Sequence, residues 1–297
     1  LVTGAHGDPL ALADRQEYLG RILRVLQAGH VDGLMATPDI IEEVLAVDLL
    51  LAEGDGAGAW GRVSSRAPDR RADKRGREDT PAHAGAGLLD GKLLIGCMNR
   101  GGLAGTAFEM WGRLTAYDAR GLREMQLDGA KLMFRLDPTN RGSGQTLVWC
   151  AQAINACLEE GLAIFLEPLP VREQNGRFVV QKEAGELARI CGVASALGRS
   201  SLRTWLKLPY CPDYSVVARA TTCPILMLGG EAGDQPVALL EDLARGLGAG
   251  PNVRGALIGR NVLFPGAHDP AVMARAMWLL VHEHMPARLA WEQAHSE

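Results

Sequence analysis

The chain lacks the features that would place it in a specialised class. No apolar run is long enough to span a bilayer, so no membrane role is expected. Neither sign of charge dominates: 31 Lys and Arg stand against 35 Asp and Glu, a net charge of -4. That balance argues against a nucleic-acid surface or a polybasic membrane patch. The six cysteines show neither CxxC nor Cys/His spacing, so no zinc site is expected. They read instead as buried reduced thiols of a cytoplasmic protein. No basic segment followed by a short apolar core opens the chain, so no signal peptide is read. No GxGxxG follows the first strand-like run, which weakens a dinucleotide-binding reading.

What is present is alternation. Short apolar runs recur at LVTGA (1–5), VDGLMAT (31–37), KLLIGCM (92–98), GAKLMFRL (129–136), LAIFLEP (162–168), RTWLKLP (203–209), CPILMLGG (223–230) and VRGALIG (253–259). Helical periodicity falls between them, at about Leu10 to Ala28, Gly144 to Glu160, Lys182 to Leu197, Pro236 to Leu247 and Asp269 to Glu283, with shorter helices from Asp118 and near Asp213. Eight nearly continuous apolar strands alternating with helices predict an α/β fold, a TIM (β/α)8 barrel, with a doubly wound open sheet as the rival. The whole chain, 1–297, reads as one barrel domain. Residues 54–87, rich in Arg, Asp, Gly, Ala and Pro without a periodic apolar face, read as a flexible insertion.

A barrel of this kind builds its site at the carboxyl ends of its strands. The polar residues expected there include His6 and Asp8, Asn99, Lys131 and Arg135, Asp137, Glu167, Lys207 and Tyr210, and the Gly229-Gly230 and Gly259-Arg260-Asn261 turns. A buried amine beside a second cation has its pKa depressed. The neutral amine can then attack a ketone to form a Schiff base. Lys207 fits that role, with Glu167 as a proton carrier on the neighbouring strand and Lys131 as the second amine. A single strand-end lysine such as Lys207 is more often an ion-pair member, and Lys131 with Glu167 can likewise be read as a structural pair. Glycine-rich turns after the last two strands suit a phosphate. Gly229, Gly230, Gly259 and Arg260 are therefore expected to hold one, with Arg135 and Asn99 as further substrate ligands.

The segments "LKLPYCPD", "CPILMLGGEA" and "GALIGRNVLF" resemble the DhnA-type class I aldolases. The resemblance implies that Lys207 of the K-x-P-Y motif forms the Schiff base and that the paired glycines and Gly-Arg turn bind substrate phosphate. "GAKLMFRLDP" and "AIFLEPLP" are similar to the tagatose-bisphosphate aldolase branch, which implies active-site roles for Lys131 and Glu167. "LLDGKLLIGCMNRGGLAGTAFEM" is most similar to the Cgl0159-type (β/α)8 aldolase-like proteins found near inositol-degradation genes. This implies a carbon–carbon lyase of carbohydrate metabolism. Candidate substrates are 6-phospho-5-dehydro-2-deoxygluconate and a deoxyribose-phosphate-like or fructose-bisphosphate-like sugar. Metal and cofactor are not expected, and a homo-oligomer is. The family places an acid just before a His-Gly or His-Pro at the end of its first strand, where this chain has Ala5 before His6. That departure keeps a degenerate barrel, binding a sugar phosphate without turnover, as the alternative. A metal-dependent lyase is the third possibility, disfavoured because only His6 stands at a strand end.

Overall fold

A computed structural model describes residues 1, 14–53, 87–99, 110–230 and 235–296. Seven parallel strands form one curled sheet: β1 (Gly33–Ala36), β2 (Leu93–Cys97), β3 (Gly129–Leu136), β4 (Ala163–Gln174), β6 (Thr204–Pro209), β7 (Ile225–Leu228) and β8 (Val253–Leu257). Their order is β1-β2-β3-β4-β6-β7-β8, and β5 (Arg177–Val180) pairs antiparallel to β4 outside this path. The expected first strand lies outside the described residues apart from Leu1. Leu1 bonds to the backbone beside β1, donating to the Gly33 carbonyl and accepting from Met35 N. The acid-to-Ala5 departure and His6 also lie outside, as does the expected insertion apart from Gly87.

The strands are buried because each faces two apolar layers. Outward side chains such as Leu132, Phe134, Ile164, Leu166, Leu206 and Leu208 pack under the helices in the main core. Inward side chains Met35, Ile95, Cys97, Phe165 and Leu257 fill the barrel axis. This two-sided burial is the reason the strand sequences are apolar without alternation.

The helices are α1 (Arg15–Gln27), α2 (Pro38–Glu53), α3 (Ala119–Glu124), α4 (Gly142–Glu159), α5 (Ala184–Ser195), α6 (Tyr214–Arg219), α7 (Pro236–Leu247), α8 (Arg260–Leu263), α9 (Pro270–His282) and α10 (Ala287–His295). Several start where an acidic cap stops the preceding loop. Asp14 accepts from Glu17 N, Asp118 from Gly121 N and Asp269 from Ala271 N. Among the described residues, no helix is long and apolar enough to cross a membrane. All six cysteines are buried and free of disulfides, and burial pushes Cys150, Cys157 and Cys191 up to about 12.

Two features depart from the sequence reading. The fifth expected strand does not stop at Pro168. It runs through Pro168 and Pro170 to Gln174, turns at Asn175-Gly176 and returns as β5. Both turn residues have positive φ, 52° and 74°, the signature of a tight hairpin turn of the right hand. The chain also ends on a further helix, α10, packed against α9 and α7.

Candidate active site

Strand register builds the centre of the site. β3 and β4 pair Met133 with Glu167, and β6 and β7 pair Lys207 with Leu226. Lys131, Glu167 and Lys207 thus come from three adjoining strands, all at inward-facing positions. Each is almost completely enclosed, with 2%, 6% and 4% of its surface exposed. Lys131 Nζ lies 3.1 Å from Glu167 Oε2, and Lys207 Nζ lies 3.0 Å from Oε1. One carboxylate therefore holds two amines, one on each oxygen.

The charges decide what this triad can do. With all three groups ionised, a buried site carries one surplus positive charge. Loss of one ammonium proton leaves a neutral ion pair. Burial pushes the Lys207 amine below its usual range. Glu167 opposes that shift and the Lys131 charge adds to it. Cys97, the β2 neighbour of Lys131 in the register, completes the inner wall.

The carboxyl ends of β7 and β8 meet as expected. Gly230 has φ +69°, a left-handed conformation suited to glycine. A Cβ on Gly229 would stand 2.7 Å from Ile258 Cγ2. Arg260, at the start of α8 and next to Gly259, donates to the Gly230 carbonyl at 3.0 Å. Asn261 donates to the Gly229 carbonyl at 2.8 Å, tying the two turns together. The sequence reading placed Asn261 at a strand end without giving it this role.

Three other polar residues are placed differently from the strand-end expectation or with added function. Asn99 is fully buried, and its amide is taken up by backbone. It donates to the Met133 carbonyl at 2.8 Å and to the Gly112 carbonyl at 3.1 Å, and it accepts from Met133 N at 2.8 Å. In that use the amide clasps β3 to the segment around Gly112. Asp137 is held by Thr139, accepting from its N at 2.9 Å and its hydroxyl at 2.7 Å, and it pairs with Arg172 of the hairpin. Burial pushes its carboxyl up, but the Thr139 bonds and the Arg172 charge leave it below the ordinary value. Tyr210 accepts from Arg245 of α7 at 3.3 Å and so turns toward the helix layer. Arg135 is buried on β3, in register with Leu169.

Above the triad lies an apolar layer. Met110, Met133, Leu169 and Val171 are buried together, and Phe178, Val180 and Leu228 pack on them. A separate cavity of about 360 Å³ opens at the opposite end, between β1 and β8, lined by residues such as Leu1, Asp32, Trp205 and Trp278. It contains none of the three ionisable residues of the triad and sits at the end where barrels of this type carry stability rather than chemistry. Among the described residues, no group of three or more His, Cys, Asp or Glu side chains could hold a metal ion.

The architecture is that of the aldolase type of (β/α)8 barrel. An archaeal fructose 1,6-bisphosphate aldolase is 17% identical with a TM-score of 0.61, over 95% of this chain and 92% of its own. A Schiff-base-forming fructose-1,6-bisphosphate aldolase is 18% identical with a TM-score of 0.61, over 95% and 93%. At these identities the likeness is one of fold. A family model described as Cgl0159-like matches residues 2–54 and 84–277, and the chain belongs to that family. Cgl0159 from Corynebacterium glutamicum is 31% identical with a TM-score of 0.75, over 95% of this chain and 81% of its own. No curated protein matches the chain.

Proposed function

We propose that the protein is a class I aldolase, a carbon–carbon lyase that cleaves a phosphorylated keto-sugar or sugar acid through a Schiff base on Lys207. The observation that carries this reading is the shared carboxylate: Glu167 holds Lys207 and Lys131 at 3.0 and 3.1 Å inside the barrel. Such a site releases a proton from one amine at moderate cost, and a neutral amine is what a ketone needs.

The distances support the following steps. Neutral Lys207 adds to the substrate ketone, and the carbinolamine loses water to give an iminium. Glu167 first moves the proton of the adding nitrogen to the new oxygen; it then takes up from solvent the proton that Lys207 had released and delivers it, so that the hydroxyl leaves as water. It then takes the proton from the substrate hydroxyl as the carbon–carbon bond breaks. The electrons of that bond flow into the iminium and leave an enamine on Lys207. The aldehyde half departs first. Protonation of the enamine and addition of water release the ketone half and restore the amine. Lys131 keeps a positive charge beside Lys207 and binds substrate oxygen.

The Gly229-Gly230 and Gly259-Arg260 turns hold the phosphate, with Arg260 supplying charge. Arg135 contacts the substrate farther along the barrel mouth. Dihydroxyacetone phosphate is the ketone product from the sugar-acid and fructose-bisphosphate-like candidates, whereas a deoxyribose-phosphate-like aldose would form its imine at the aldehyde carbon and give acetaldehyde and glyceraldehyde 3-phosphate. The substrate candidates are 6-phospho-5-dehydro-2-deoxygluconate, with an inositol-catabolic role, and deoxyribose-phosphate-like or fructose-bisphosphate-like sugars. A cleavage assay across these phosphorylated sugars, read as dihydroxyacetone phosphate or glyceraldehyde 3-phosphate released, tests the proposal. Turnover of at least one that is abolished in Lys207→Met supports it. Failure of all of them by folded protein that still binds the sugars favours a binding barrel without turnover.

A further inference from the structure

The last two helices bring two histidines together in the outer, helical layer. His268 precedes α9, and His295 is the last residue of α10. They stand 27 residues apart, so no spacing motif marks the pair in the sequence. His295 Nδ1 lies 2.8 Å from the Trp291 carbonyl oxygen, one helical turn earlier. A carbonyl only accepts, so this nitrogen carries the ring proton. The lone pair of the neutral ring is therefore on Nε2, and it faces His268 Nδ1 at 3.4 Å. The Trp291 ring meets both imidazoles edge-on, with centroids 4.9 Å from His268 and 4.4 Å from His295, and holds their planes. Both histidines are exposed, so an ion reaches them directly from solvent.

We propose that His268 Nδ1 and His295 Nε2 hold a divalent transition-metal ion of the zinc class. Zinc–nitrogen bonds are about 2.0–2.1 Å long, so two of them at a tetrahedral angle set their nitrogens about 3.3–3.4 Å apart. The observed 3.4 Å matches that edge and is longer than an ordinary hydrogen bond from nitrogen. His295 also has the outer partner usual for a metal-binding imidazole, a backbone carbonyl on its other nitrogen. His268 admits the ion by moving its ring proton from Nδ1 to Nε2, so both rings stay neutral and no net proton is released. Water completes the coordination. The neighbouring cations are already paired. Arg24 and Arg21 share a shallow surface hollow with His268, and they are held by Asp269 at 2.9 Å and Glu17 at 2.7 Å. Asp269 is committed to that pair and to capping α9 through Ala271 N. A bound ion ties the last turn of α10 to the segment entering α9. The proposal is independent of the chemistry at Lys207.

The test is a calorimetric titration of zinc into the full chain carrying no histidine tag, with His268→Gln and His295→Gln alongside. Both side chains are exposed, so neither change disturbs the core. The wild type should bind with a dissociation constant on the order of 1–100 µM, as expected of half the ligand set of a structural zinc site. Each variant should weaken that binding by about tenfold or more. Zinc should raise the Tm of the wild type and leave that of both variants unmoved. Saturating zinc should also shield both histidines from diethylpyrocarbonate, read by peptide mass mapping. Equal zinc affinity in the wild type and the two variants overturns the site, as does full reactivity of both histidines under saturating zinc. Wild-type binding no tighter than about 1 mM overturns it equally and leaves the contact as a hydrogen bond between two rings.

Discussion

Lys207 Nζ lies 3.0 Å from Glu167 Oε1, although the other oxygen of that carboxylate is already engaged by Lys131. Two buried amines thus compete for one counter-charge. The protein is most at ease when one of the two is neutral, and burial and the Lys131 charge direct that role to Lys207.

Replacing Lys207 with Met should abolish turnover and stabilise the fold. The remaining Lys131–Glu167 pair is neutral, and a buried charge has been exchanged for a well-shaped apolar side chain. A gain of about 1 kcal/mol or more in urea denaturation at neutral pH is expected. The gain should shrink with rising pH. Lys207 has a folded pKa below its ordinary 10.5, so between those two values the unfolded chain binds more protons and wild-type stability rises.

Glu167→Gln should have the opposite sign. It leaves two enclosed amines without a counter-charge, a loss of about 3–5 kcal/mol at neutral pH. The same variant should lose turnover, because the proton carrier is gone.

Lys131→Met isolates the electrostatic role of the second amine. Without the neighbouring positive charge, the Glu167 carboxylate holds the Lys207 proton more tightly. The rising limb of kcat against pH should therefore move to higher pH, with part of the activity recovered in alkaline buffer. A profile unmoved by the substitution would show that Lys131 has no part in setting the amine.

Gly229→Ala adds a methyl that stands 2.7 Å from Ile258 Cγ2 and 3.2 Å from Asn261 Nδ2. The two turns must separate to admit it. KM for a phosphorylated substrate should rise about tenfold, as expected when a single charge-assisted contact is lost, with a smaller effect on kcat. A non-phosphorylated analogue should be nearly indifferent to the change.

The sequence carried much of this arrangement because strand-end lysines and glutamates are rare enough in apolar runs to stand out. Lys131, Glu167 and Lys207 were each visible as a charge within an apolar strand, and the two glycine turns followed the last two strands. The distances between them were not visible, since they depend on register across three strands. The backbone bonds of Asn99 are not legible in the sequence, because an amide at a strand end can serve ligand or backbone equally. Those bonds go to Met133 and Gly112, thirty-four and thirteen residues on. The β4–β5 hairpin was missed because Pro168 and Pro170 suggest a strand end. Its signal was present all the same in Asn175-Gly176 between alternating residues. The prolines are accommodated within β4, where the Pro170 carbonyl accepts from Gln181 N at 2.8 Å.

The central claim is tested most directly by borohydride reduction in the presence of dihydroxyacetone phosphate, followed by peptide mass mapping. The account predicts a reduced adduct on Lys207 and on no other lysine. An adduct on Lys131 would reverse the roles of the two amines, and folded protein that binds the ketone without any adduct would contradict Schiff-base chemistry at this site.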